Sequence, residues 1–193
     1  MRINLPVTNT EVVLSDSFSI VSTTDLQGNI TYANPYFVEV SGYAEHELIG
    51  APQNILRHPD MPVEAFADLW ATIQRGRPWT GLVKNRNRTG DFYWVLANVT
   101  PVYEQGKAIA YMSVRTKPTR EQVEAAEQVY KEIREGNPRK LRVLDGRIVR
   151  SGRMAALTRI GLVARLQMSL ILALFVFILL GMLALLPNLS PWG

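Results

Sequence analysis

Hydrophobic and polar positions along the first two-thirds of the chain change period several times, and each change marks an element. Phe18-Ser19-Ile20-Val21-Ser22-Thr23-Thr24-Asp25 reads as a strand, Gln27-Gly28-Asn29 has tight-turn chemistry, and Ile30-Thr31-Tyr32-Ala33 reads as the partner strand, which predicts an opening hairpin. Asn34-Pro35 is a cap followed by a first-turn proline. It starts a helix through Tyr36–Val40 that ends at Ser41-Gly42-Tyr43, and a second short helix, Ala44 to Ile49, stops at Gly50. Val63, Phe66, Trp70 and Ile73 then recur at helical spacing. Asp60 can cap that helix, Pro62 fits its first turn, and Gly76 follows its last. Three strands come next, Pro78–Arg86, Phe92–Val102 and Ala108–Arg115, joined by turns at Asn87–Asp91 and Glu104–Lys107. With a helical middle and strands at both ends, the simplest closure is an α+β fold: one antiparallel sheet with the helices gathered on one face, enclosing a cavity.

Beyond the strands, Thr119-Arg120-Glu121-Gln122 has capping-box spacing, and Val123, Ala126, Tyr130 and Ile133 follow a helical seam toward Gly136. So narrow an apolar stripe suits pairing against the sheet or against a second copy of the chain. Leu141–Arg150 reads as a small hairpin around Asp145-Gly146, and residues 1–17 as a loosely packed cap.

From Met168 to Leu186 the chain carries no charge, and only Ser169 and Gly181 are not apolar. As a helix this run would be roughly 28 Å long, close to the hydrocarbon thickness of a bilayer, which predicts a single membrane pass. The formal charge of +4 is unevenly spread. Ten Lys and Arg between Lys131 and Arg165 face three acids, and no charged side chain follows the apolar run. The positive-inside rule therefore keeps the N-terminal part in the cytoplasm and sends only residues 187–193 across. A nucleic-acid arm would interleave aromatics; this basic stretch abuts a membrane segment instead, and anionic lipid explains it with less.

The chain has no cysteine, which excludes disulfides, thiolate metal sites, iron–sulfur clusters and a cysteine nucleophile. His46 and His58 are the two histidines, too few for a histidine-built zinc site. Chemistry here belongs to a bound organic molecule or to none. The most concentrated polar feature is Arg57-His58-Pro59-Asp60-Met61-Pro62, a corner set against the apolar wall of Phe66 and Trp70. Each residue also has a plainer reading: Asp60 as a helix cap, His58 as a satisfied loop histidine, Trp70 and Trp79 as core filler.

These residues carry a family resemblance. Ser22–Asn34, Val40-Ser41-Gly42-Tyr43, Glu47-Leu48-Ile49-Gly50, Arg57–Pro62 with Ala65–Trp70, Trp79–Arg86 and Gly90–Val95 together resemble a PAS domain of the bacterial aerotaxis (energy-taxis) receptor family. The resemblance covers roughly residues 18–117. It implies a PAS fold with a five-stranded antiparallel sheet and helices on one face, followed by a linker and one C-terminal transmembrane helix. The implied layout is a cap (1–17), the PAS sensor domain (18–117), a linker helix (118–136), a basic juxtamembrane linker (137–167), the transmembrane helix (168–186) and a short tail (187–193).

It also implies FAD in the cavity, with Arg57, His58 and Asp60 matching motif residues required for flavin binding and Asn85 and Tyr93 matching further family positions. Trp70 and Trp79 add flat surfaces suited to an isoalloxazine ring. Receptors of this family continue into a HAMP segment and a kinase-control domain, whereas this sequence stops at Gly193. The expected function is a non-catalytic, membrane-anchored sensor of redox state or oxygen in the bacterial inner membrane, a homodimer relaying its state to a chemoreceptor or other signalling protein. Alternatives are a flavin-free PAS ligand-sensing or dimerisation module and a haem sensor with His58 as axial ligand. A flavoenzyme would need a nicotinamide fingerprint the sequence lacks, and a cysteinyl-flavin photoreceptor would need a thiol.

Overall fold

The structure is a computed structural model that describes residues 3–135, 141–144 and 146–150. The apolar run 168–186, its tail and most of the basic linker lie outside the described residues. Among the described residues no helix is long and apolar enough to cross a membrane.

Five strands form one antiparallel sheet: β1 (Ile20–Thr24), β2 (Ile30–Ala33), β3 (Trp79–Arg86), β4 (Phe92–Glu104) and β5 (Lys107–Thr116), in the spatial order β2-β1-β5-β4-β3. The opening hairpin is closed by Asp25, whose carboxylate accepts from the backbone N–H of Gln27 and Asn29 and from the Asn29 amide. This Asx-type closure explains why five residues suffice to reverse the chain. Between the hairpin and β3 run α1 (Pro35–Ser41), α2 (Glu45–Leu48), a 3-10 turn (Gln53–Leu56) and α3 (Val63–Gln74). Asn34 caps α1 by accepting from the Phe37 N–H, Pro35 opens its first turn, and Gly42 ends it in the left-handed region. The same Asn34 side chain bonds β1 through Val21 N–H and Ser19 C=O, so one residue fixes both the helix start and its seat on the sheet.

The start of α3 differs from expectation. Its N-cap is Pro62, with no side-chain cap, because the Asp60 carboxylate is drawn to Lys84 Nζ at 3.2 Å and Arg134 Nη1 at 3.1 Å instead. Two cations outcompete one backbone amide for a carboxylate.

Alternation along the strands splits the sheet into two faces. Val83, Asn85, Ala97, Val99, Tyr111 and Ser113 face the α1–α3 layer, while Leu82, Lys84 and Trp94 face the other way. That second face is covered by α4 (Arg120–Arg134), so the helices are not all on one side. The Thr119–Gln122 capping box forms, and Val123, Ala126, Tyr130 and Ile133 are buried. Tyr130 stacks on Trp94 at 6.2 Å and its hydroxyl donates to the Leu82 carbonyl at 2.7 Å. Of the two partners the seam allowed, this chain's own sheet takes it.

A small hairpin, β6 (Leu141–Leu144) and β7 (Arg147–Arg150), follows. Its turn is tied to α3 by the Gly146 N–H, which donates to Asp68 at 2.7 Å. The N-terminal segment is pinned more closely than its composition indicates. Thr8 and Val12 N–H donate to the Gly90 and Phe92 carbonyls, and the Asn4 amide donates to the Asn54 and Arg57 carbonyls at 2.8 and 3.0 Å.

Candidate functional site

A cavity of about 160 Å3 lies between the inner face of the sheet and α3. Its walls are aromatic and aliphatic: Phe66, Leu69, Trp70 and Ile73 from α3 face Val83, Val99 and Tyr111 from the sheet. Trp70 meets Tyr111 edge to face, with centroids 5.8 Å apart and planes at 82°. The opening turn lines the cavity too, and there Gly28 (φ +89°) leaves room for the Trp70 ring; a Cβ at Gly28 would come within 2.8 Å of it. Any larger residue would push Trp70 into the cavity or strain the turn.

Polar groups break this apolar lining at Thr24 and Gln27 near the opening turn, at Gln53 and Asn54 of the 3-10 turn, and at two further places. On β3, Asn85 faces the cavity beside Arg57, the two residues being bridged through their backbones. Among the described residues no hydrogen bond occupies the Asn85 amide, whereas Arg57 is held by a bond from Nη2 to the Met61 carbonyl and lies 5.3 Å over the Phe66 ring. On β5, Ser113 and Arg115 reach the same cavity, and the buried Ser113 hydroxyl has no partner among the described residues. A buried polar atom left unbonded is costly, and native folds usually resolve it with a ligand, an ion or water. An apolar slot whose lining includes polar side chains left unbonded among the described residues has the chemistry of a candidate ligand site.

The comparisons with known proteins agree with this architecture. The PAS fold family model matches residues 30–115. The aerotaxis receptor of Escherichia coli (strain K12) is 50% identical over 146 residues, covering 76% of this chain and 29% of that receptor. This chain carries a PAS domain of the aerotaxis-receptor family. The nitrogen fixation regulatory protein of Klebsiella pneumoniae is 34% identical over 96 residues, covering 49% of this chain and 19% of that protein. The chain thus spans less than a third of either relative's length. Among solved structures, a light-oxygen-voltage domain studied with a flavin analogue superposes with a TM-score of 0.53 at 21% identity, covering 62% of this chain and 90% of that one. Likeness at that identity establishes the fold.

Within the PAS domain, the seven residues singled out from the sequence separate into two sets. Arg57, Trp70 and Asn85 line the cavity. His58, Asp60, Trp79 and Tyr93 do not. Trp79 is packed over Gly81, where a Cβ would come within 2.5 Å of its ring, and its indole N–H donates to Asp68 at 2.8 Å. Tyr93 is on the inner face but wholly buried, its hydroxyl has no partner among the described residues, and burial pushes its phenol well up. Asp60 lies on the other side of β3, in a cluster with Lys84, Glu127 and Arg134. Burial pushes its carboxyl up, but the hydrogen bond and charge of Lys84, with Arg134, outweigh that and leave it below the usual range. His58 is buried, and its Nδ1 accepts from the Asp60 N–H at 3.1 Å. Asp60, His58 and their partners thus brace the loop from which Arg57 reaches the cavity.

Ser113 and Arg115 are among the cavity residues that sequence reading missed, with Thr24, Gln27, Gln53, Asn54 and Tyr111. The signal was there: Tyr111, Ser113 and Arg115 recur at period two in β5, so the strand face that bears Tyr111 also bears a hydroxyl and a cation.

The corner is also a source of pH dependence. Burial first, then the Lys84 charge, lower the His58 pKa from 6.5 to about 4 in the folded protein, with Asp60 opposing. Because the folded value is depressed, the unfolded chain takes up a proton that the native one refuses. Stability is therefore full above about pH 6.5 and falls between that value and about pH 4, by up to about 3 kcal/mol. Urea unfolding of the wild-type chain and of His58→Gln across pH 4–7 checks this: the variant should lose most of the slope in that window.

Proposed function

We propose that this chain is a membrane-anchored, flavin-binding PAS sensor that relays the redox state of its cofactor, FAD, to a partner signalling protein. The observation that carries the reading is the cavity itself, with aromatic walls and a buried Ser113 hydroxyl that has no hydrogen-bond partner among the described residues. The donor set fits a flavin. Phe66, Trp70 and Tyr111 offer faces and edges to a planar ring. The Asn85 amide can both donate to and accept from ring carbonyl and nitrogen atoms. Arg57 presents a planar cation suited to a diphosphate. When bound, the flavin supplies reversible electron uptake; the chain's residues hold the ring, exclude water and register which hydrogen bonds its two states prefer.

No histidine lines the cavity among the described residues, which speaks against the haem alternative with His58 as axial ligand. The anchor proposal rests on the 168–186 run and the positive charge ahead of it, and places the PAS domain on the cytoplasmic side of the bacterial inner membrane. The chain acts as a non-catalytic homodimer that signals through a chemoreceptor or another signalling protein. Purification of the full chain in mild detergent, followed by an absorption spectrum, is the test. Two flavin bands in the near-ultraviolet and blue are expected; a Soret band, or a colourless folded protein that does not take up added FAD, would overturn the cofactor reading.

A further inference from the structure

We propose that Arg115, with Ser113 beside it, forms an anion-recognising wall of the cavity, so that the bound cofactor is held there by a group bearing full or partial negative charge. The inference rests on the cofactor reading above and specifies which property of the cofactor the protein reads. Arg115 is buried on the inner face of β5. Its polar contact within the fold is one bond from Nη1 to the Ser22 hydroxyl, at 3.1 Å, and its guanidinium lies 5.5 Å from the Phe37 ring centre. No carboxylate among the described residues pairs with it. The contrast with Lys84 on the other face is sharp, since Lys84 is buried too but is met by both Asp60 and Glu127.

A cation kept out of water without a counter-charge is among the costliest arrangements a fold can hold. Burial pulls the Arg115 pKa down to about 10, which still leaves it protonated at neutral pH. Two residues before it, on the same strand face, the Ser113 hydroxyl is buried without a partner. Ser22, which accepts from Arg115, pairs in register with Ser113 across β1 and β5 and donates toward the Gln53 side-chain Oε1 at 3.5 Å. The surrounding contacts thus hold the cation in place without neutralising it. Asn85, on β3, is separated from this wall by the whole of β4, so the cavity has Asn85 with Arg57 on one side and Ser113 with Arg115 on the other.

A flavin ring is neutral when oxidised. Taking up two electrons from a donor and one proton from solvent leaves it with a net charge of minus one, and Arg115 favours that state over the neutral one. Positive charge at this wall therefore raises the reduction potential of the bound ring.

The experiment uses the full chain in detergent micelles loaded with FAD. Soluble redox mediators supply the electrons in a spectroelectrochemical titration, and fluorescence titration gives FAD affinity. Arg115→Met is expected to lower the midpoint by about 30 mV or more, which is a tenfold loss of preference for the reduced ring in a two-electron couple. Arg115→Lys, which keeps the charge, should recover most of that shift. Ser113→Ala is expected to weaken FAD binding several-fold while the ligand-free protein melts at the same or a higher temperature, since the removed hydroxyl had no partner in the fold. A merely structural serine would not separate the two readouts in opposite directions. FAD bound by the unmodified chain with an unchanged midpoint in Arg115→Met overturns this inference and leaves the cofactor reading standing. Should Arg115→Met fail to fold, unchanged FAD affinity in Ser113→Ala overturns it in the same way. No FAD bound by the unmodified chain overturns both.

Discussion

Trp79→Ala is expected to destabilise the domain by about 3–5 kcal/mol, the range for removing a buried indole from a packed core. The residue is 1% exposed and its ring fills the space above Gly81. Its N–H also holds Asp68, whose carboxylate bonds the Gly146 N–H of the following hairpin, so the alanine variant loosens α3, β3 and the hairpin together. Thermal and urea unfolding should show a melting point lower by roughly 10 °C or more. Trp79→Phe keeps most of the packing and loses the hydrogen bond, for a cost of about 1–2 kcal/mol. In the phenylalanine variant FAD affinity should be unchanged. A drop in affinity there would mean that the indole contacts the ring, as its sequence position indicates, and not the core alone.

The second large effect concerns Asn85, and it is best measured beside Tyr93. Asn85→Ala should lower FAD affinity roughly 10- to 100-fold, the loss of a hydrogen-bonding amide that leaves a polar ligand atom unmet. It should change folding stability little, because that amide is not used by the fold. Tyr93→Phe should do the reverse. It removes a buried hydroxyl that lacks a partner, so stability should hold or rise by up to about 1 kcal/mol, with flavin affinity unaffected. Fluorescence titration of FAD together with urea unfolding of both variants separates the roles. Equal losses of affinity in the two would place the Tyr93 hydroxyl on the cofactor, with a cavity wider at that end when occupied.

Much of the fold is legible locally. The Asp25–Asn29 turn, the Asn34 cap and the Thr119–Gln122 box each depend on residues within four positions of one another, and such short-range chemistry is written directly into the chain. The start of α3 was misjudged for the opposite reason. Asp60 sits where a cap belongs, but its partners Lys84 and Arg134 lie 24 and 74 positions away, and only folding brings them near. The candidate site divides along the same line. Trp70 could be assigned to a helix face from spacing. Which of Arg57, His58 and Asp60 would enter the cavity depended on how one tight corner turns against β3.

The sequence by itself determined the alternation of strands and helices, the seam of α4, the apolar run near the C-terminus and the charge asymmetry ahead of it, because periodicity, capping and charge counts act over short stretches of chain. Only the tertiary structure decided that α4 covers the outer face of the sheet, that Trp79 belongs to the core, and that Ser113 and Arg115 look into the cavity. Those outcomes depend on which surfaces meet across strand register and layer packing, and burial of a given side chain is a property of the neighbours the fold assembles around it.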